Sequence, residues 1–198
     1  MPDYYQQTVV QQTIPDSDMT PLEQLLLSNM FTAERDGDGW YFFAEENPSV
    51  VITVTRRELE QALAASPDDG SAARACVSEQ LAAAGTGAAE IDLDISDASL
   101  DLSGTSYEFV FQDIVRRSKT LKYISVVTSF TCSRMRPDGF GGMAVLITHD
   151  AIVGKTTGDF LEDVIAEAGL DDERPACRVE AQRRRGTESE NPAASTAE

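Results

Sequence analysis

At three places in this chain a threonine followed three residues later by a glutamate stands ahead of a run with helical apolar spacing. The three stretches are Thr20-Pro21-Leu22-Glu23, Thr55-Arg56-Arg57-Glu58 and Thr105-Ser106-Tyr107-Glu108. In such a pair the hydroxyl accepts from the glutamate's backbone N–H. The carboxylate in turn accepts from the threonine's N–H, so two donors orphaned by the first helical turn are satisfied. Helices are expected to start at these three points. Pro21 suits the first helical position, Leu22, Leu25, Leu26 and Met30 follow at helical spacing, and the first helix should end near Phe31. The second carries Leu59, Ala62 and Leu63 inward. In the third, Tyr107, Val110, Phe111, Ile114 and Val115 form the strongest amphipathic stripe of the chain.

Between these starts the pattern changes period. Residues 4–14 are rich in β-branched and aromatic types and read as a strand. The run Glu34-Arg35-Asp36-Gly37-Asp38-Gly39 reads as a turn, with Trp40 to Ala44 and Val50 to Val54 as strands. Residues 90–103 alternate, with Ile91, Leu93 and Ile95 on one side and Asp92, Asp94 and Ser96 on the other, as in a half-buried antiparallel strand or hairpin. Two more strands are expected at about 122–133 and 141–148. The alanine-rich piece Ala72 to Ala84 is helical by propensity and should pack shallowly. A last helix runs from Asp159 to Ala168 with Phe160, Leu161, Val164, Ile165 and Ala168 on one side. From Asp171 on, large apolar residues are scarce, which predicts a disordered acidic and basic tail, 171–198, behind a single domain, 1–170. Strands of alternating polarity interspersed with helices predict an α+β fold, an antiparallel sheet with helices mainly on one face.

Charge narrows the function classes. Sixteen basic residues against thirty-four acidic ones give −18 over 198 residues. Such a surface repels phosphate backbones, so direct nucleic-acid binding is disfavoured. Within 116–136, however, Arg116, Arg117, Lys119, Lys122, Arg134 and Arg136 occur with no acid among them. The longest apolar runs are far too short to span a membrane. The N-terminus has no secretory pattern, and Cys76, Cys132 and Cys177 are odd in number and irregularly spaced, which together suggest a reducing, cytoplasmic setting.

Catalytic and metal chemistry finds little support. A nucleophilic Cys132 would need a base. The one histidine, His149, should lie at the far end of the neighbouring strand, on the order of 20 Å or more away. Cys132 therefore reads as a buried strand cysteine. Zinc lacks ligands at suitable spacing. The segment 34–45 places oxygens, a glycine and Glu45 at EF-hand spacing, but Trp40-Tyr41-Phe42-Phe43 replaces the exiting helix with a strand, so an acidic hairpin turn is favoured. Gly154-Lys155-Thr156 lacks the upstream glycine of a phosphate loop. No cofactor or metal is expected. An enzyme using carboxylates alone would need an acid on an apolar face, and the acids of the alternating segments point outward.

The segment Thr131 to Ala144 is the remaining feature, holding Arg134, Arg136, Pro137-Asp138-Gly139, Phe140, Gly141 and Gly142. Its composition is that of a tight connection between paired strands, with glycines for positive φ or close backbone approach. Arginine and aromatic residues favour binding. Arg134, Arg136 and Phe140 are thus the expected contact surface for an acidic protein partner or a second copy, joined by Arg116 and Arg117 if the fold brings helix end and loop together. On the acidic side, Asp92 and Asp94 would stand about 6.8 Å apart on a strand, close to the phosphate spacing of DNA, so nucleic-acid mimicry is a second expectation.

The order Thr131-Cys132-Ser133, Arg136-Pro137-Asp138, Phe140-Gly141-Gly142, Ala144 and Ile147-Thr148 resembles a group of small uncharacterised proteins of bacterial plasmids, phages and other mobile elements, over about 105–165. The resemblance implies that source and an α+β fold, and no chemistry. The expected function is a non-enzymatic acidic binding or inhibitory protein. The alternatives are a carboxylate-based hydrolase or a calcium-binding module built on 34–45.

Overall fold

In the computed structural model, residues 3–67, 70–84, 97–137 and 139–170 are described. Asp92, Asp94, Asp138, Cys177 and the 171–198 tail lie outside the described residues.

The core of the fold is the pairing of β7 (Tyr123–Cys132) with β8 (Phe140–Thr148), a nine-pair antiparallel ladder from Tyr123↔Thr148 to Thr131↔Phe140. On its other side β7 pairs with β1 (Tyr4–Val10) over the whole length of β1. β4 (Gly39–Ala44) takes β1 and its short continuation β2 (Ile14–Pro15) along one edge. Along its other edge it takes β3 (Thr32–Asp36). β9 (Ile152–Thr156) closes the far side against β8. These seven strands form one sheet, and every pairing in it is antiparallel.

Alternation sets the two faces. Thr8, Val10, Ile124, Val126, Val145 and Ile147 point inward and are buried. They meet α1 (Pro21–Met30) and α4 (Tyr107–Arg117), whose Leu22, Leu26, Leu27, Val110, Phe111 and Ile114 complete the core. Behind them lie α2 (Arg56–Ala65), α3 (Ala72–Ala84) and a separate two-stranded sheet of β5 (Val51–Thr55) and β6 (Asp97–Asp101). The α+β reading, with four helices on one face of an antiparallel sheet, is the observed fold.

Several expected elements are corrected. The capping boxes at Thr20–Glu23 and Thr55–Glu58 are formed with both bonds. At 105–108 the cap residue is Ser106, and no side-chain cap bond forms. Residues 34–36 belong to β3, so the turn shrinks to Gly37 and Asp38, with Gly37 at φ 59°. α3 is not shallow: Ala73 and Val77 are fully buried, and Asp113 of α4 accepts from the Ala72 N–H at 2.9 Å. Of the alternating stretch 90–103, the described part does form an antiparallel strand, β6, and its partner is β5.

The last helix, α5 (Thr157–Glu167), is opened by a capping box of Thr156 and Asp159. Its apolar stripe meets no core. Phe160, Leu161, Val164 and Ile165 are exposed, as is Leu170 just beyond. No helix among the described residues is long and apolar enough to cross a membrane.

Candidate interaction surface

The loop that joins β7 to β8 is built by its glycines and by the N-terminal strand. Gly139 donates its N–H to the Arg136 carbonyl at 3.0 Å and lies so close to β7 that an added Cβ would stand 2.9 Å from the Cβ of Cys132. Positive φ, one of the two uses expected of these glycines, occurs elsewhere, at Gly37, Gly70 and Gly169. In this loop close approach is what excludes a side chain. Gly139→Ala should cost about 1–3 kcal/mol, the usual penalty for overpacking, read as a drop in melting temperature. Ser133 and Asp3 exchange two bonds, Ser133 N–H to the Asp3 carbonyl and Asp3 N–H to the Ser133 hydroxyl, each 2.9 Å. Together these contacts hold the loop at the end of a rigid ladder.

From that base Arg134, Met135 and Arg136 project. Met135 is 92% exposed, and Phe140 is 49% exposed at the foot of the loop. Asp138, the carboxylate nearest in sequence, lies outside the described residues. Cys132 is buried, as its strand position implied. His149 follows Thr148, which pairs with Tyr123 at the other end of the ladder. It therefore stands a full strand away from Cys132, and its Nδ1 lies 2.7 Å from the Asp150 carboxylate.

Arg116 and Arg117 do not join this surface. They end α4 at the Tyr123–Thr148 end of the sheet, opposite the loop. Arg116 donates to the His149 carbonyl at 3.0 Å and pairs with Asp113 at 3.3 Å. Arg117 donates to Oε2 of Glu23, whose side chain is 1% exposed. Burial pushes the Glu23 carboxyl above its ordinary range, against the opposing pull of the Thr20 N–H and Arg117. Beside it, burial would also raise Asp18, but the hydroxyls of Ser118 and Thr120 outweigh that effect and hold it below its usual range. The basic end of α4 is therefore spent on anchoring α1 and its approach. The sequence could not show this, because Glu23 already had a role in the capping box.

The 34–45 segment forms the β3–β4 hairpin. Glu45 lies past the end of β4, at the opposite end of the hairpin from Asp36 and Asp38, so these carboxylates do not converge on one point. Asp36 accepts from the Thr13 hydroxyl, and Arg35 lies 4.3 Å over the Trp40 ring while paired with Asp16. Among the described residues no three His, Cys, Asp or Glu side chains gather as a metal-holding group. An open groove of ≈ 500 Å³ runs between α4 and β8–β9, lined in part by Phe109, Gln112, Met143 and Ile152, with Glu108 and Asp150 also on its wall.

No family model matches the sequence, and no curated protein and no solved structure matches it.

Proposed function

We propose that this chain is a non-enzymatic protein-binding module that docks an acidic partner protein through the β7–β8 loop. The observation that carries the reading is Met135, 92% exposed between two arginines on a rigidly held loop, with half-exposed Phe140 at the start of β8. An apolar side chain left bare gains by being covered, and flanking guanidiniums favour a carboxylate-rich rim on what covers it. On a protein of net charge −18, a local cationic spot also steers a partner's approach and fixes its register. An inhibitory role, in the cytoplasm, fits the resemblance of 105–165 to mobile-element proteins.

The test is affinity capture from a bacterial lysate at low and moderate salt, with the native chain and an Arg134→Glu, Arg136→Glu variant as baits. An acidic protein should be retained by the native bait. Its retention should fall roughly tenfold or more with the variant, as for lost charge contacts at an interface, and should weaken with salt. Equal retention by both folded baits would overturn the reading.

A further inference from the structure

Met135 differs from the other methionines among the described residues in being bare. Met30 is 3% exposed, and Met19 and Met143 are half-buried against the core. Met135 is 92% exposed. Oxidation of a thioether follows its access to the oxidant. Met30 is reached only through a local opening of α1, which costs free energy. Met135 is reached in the native fold.

The described thiols are less accessible. Cys132 is buried, and half-buried Cys76 accepts from the Gln80 side-chain amide at 3.1 Å on its Sγ. The loop also holds Met135 in place. Ser133 is tied to Asp3 on one side of it, and the Arg136 carbonyl to the Gly139 N–H on the other.

We infer that Met135 is an oxidation site, converted to methionine sulfoxide by hydrogen peroxide, and that the conversion releases the acidic partner docked on the β7–β8 loop. The thioether sulfur attacks one peroxide oxygen. An S–O bond forms, the O–O bond breaks, and the second oxygen leaves as hydroxide. That hydroxide takes the proton from the new S–OH group, so the products are the sulfoxide and one water. Sulfur is oxidised by two electrons and the peroxide is reduced by two.

The release rests on the docking reading given above. In that reading a bare apolar side chain gains by being covered, and the cover carries a rim of carboxylates. The sulfoxide oxygen is a hydrogen-bond acceptor, and covering it costs its bonds to water unless the partner offers a donor. An ionised carboxylate accepts and does not donate. A rim suited to Arg134 and Arg136 is therefore unsuited to an oxidised Met135. The change is reversible, because methionine sulfoxide reductases restore the thioether at the expense of a dithiol.

The experiment treats the full chain with hydrogen peroxide, raised stepwise, and locates each added oxygen by tandem mass spectrometry. Met135 should be oxidised roughly tenfold or more faster than Met30, and ahead of Met19 and Met143, with an unchanged circular dichroism spectrum. Treatment is stopped while Met135 is the one methionine modified. The treated chain is then used as bait beside the untreated one. Its retention of the acidic protein should fall roughly tenfold. A pair of reductases, one for each sulfoxide epimer, with dithiothreitol should restore it. A Met135→Leu bait is compared only with itself, and its retention should not change on treatment.

Met135 oxidised no faster than Met19 or Met143 in the folded chain overturns the site. Undiminished retention by the treated native bait overturns the release. So does a loss that the reductases do not reverse, or one that Met135→Leu shares, since either places the damage on another group. A native bait that retains no acidic protein before treatment overturns the docking reading and the release with it, while the oxygen map still decides the site.

Discussion

Truncating Phe111 to alanine is expected to lower the unfolding free energy by about 3–5 kcal/mol, the range for removing a large buried aromatic side chain. Phe111 is fully buried in α4 and is the point at which four aromatic rings meet. Its ring lies 6.0 Å from that of Phe31, 6.2 Å from Phe42 and 6.1 Å from Tyr107. Phe31 ends α1 and Phe42 belongs to β4, so the cavity would open where helix layer and sheet are joined. Tyr107 sharpens the effect. Its ring also packs edge-on against that of Phe31 at 5.3 Å, and burial, with Glu108 beside it, holds its hydroxyl well above the ordinary tyrosine range. Phe111→Leu refills most of the volume and should recover more than half of the loss. Urea unfolding reads both variants. A loss near 1 kcal/mol for the alanine variant would mean that the layers close over the gap, and that this cluster does not join them.

The elements legible in the sequence are those fixed by local chemistry. Thr20–Glu23 and Thr55–Glu58 place two helix starts because a capping box is complete within four residues. The turn chemistry of Pro137 to Gly139 places the β7–β8 connection. The box at 105–108 misleads because Thr105 folds into the preceding turn, its N–H donated to the Leu102 carbonyl at 3.0 Å. Ser106 is left at the cap.

β3 was hidden because an edge strand may carry charge on its open side, and Glu34, Arg35 and Asp36 look like a turn. β9 was hidden because Gly154 and Lys155 leave it little apolar signal. Its inward residues, Ile152, Gly154 and Thr156, earn their place only by lying against β8. The outward positions Val127 and Leu146, both half-exposed, were hidden for a related reason. Val126-Val127 and Val145-Leu146-Ile147 are continuous in sequence, and pairing register alone separates buried from bare. Arg117 reads as one of a basic cluster until the fold brings it to Glu23, 94 residues away.

Replacing Arg117 with methionine should cost about 3–5 kcal/mol near neutral pH, the penalty for stranding a buried charge by removing its partner. The Glu23 side chain is 1% exposed, and its Oε1 has no partner among the described residues. Without Arg117 the Thr20 N–H remains its chief support.

The loss should depend on pH in a defined direction. Burial already raises the Glu23 carboxyl above the ordinary 4.5, so the folded state takes up this proton before the unfolded state does. Lowering the pH from above the folded value toward 4.5 therefore stabilises the fold through this group. Removing Arg117 raises the folded value further and widens that window. Asp16, Asp18, Glu58, Asp101 and Asp159 act the other way. Hydrogen bonds hold them below their ordinary values, so their contribution is complete above those values and is lost as pH falls through the lowered ones.

Between about pH 8 and pH 5 the Glu23 effect accordingly stands apart. The deficit of Arg117→Met against the native chain should be greatest at the upper end and shrink steadily toward the lower. The double variant Glu23→Gln, Arg117→Met, which buries no charge, should recover most of the loss at pH 7.5 and show no such trend. Urea titrations of the three proteins at four pH values decide it. A deficit that is constant across the range would assign Arg117 a packing role and leave the Glu23 carboxylate solvated by other means.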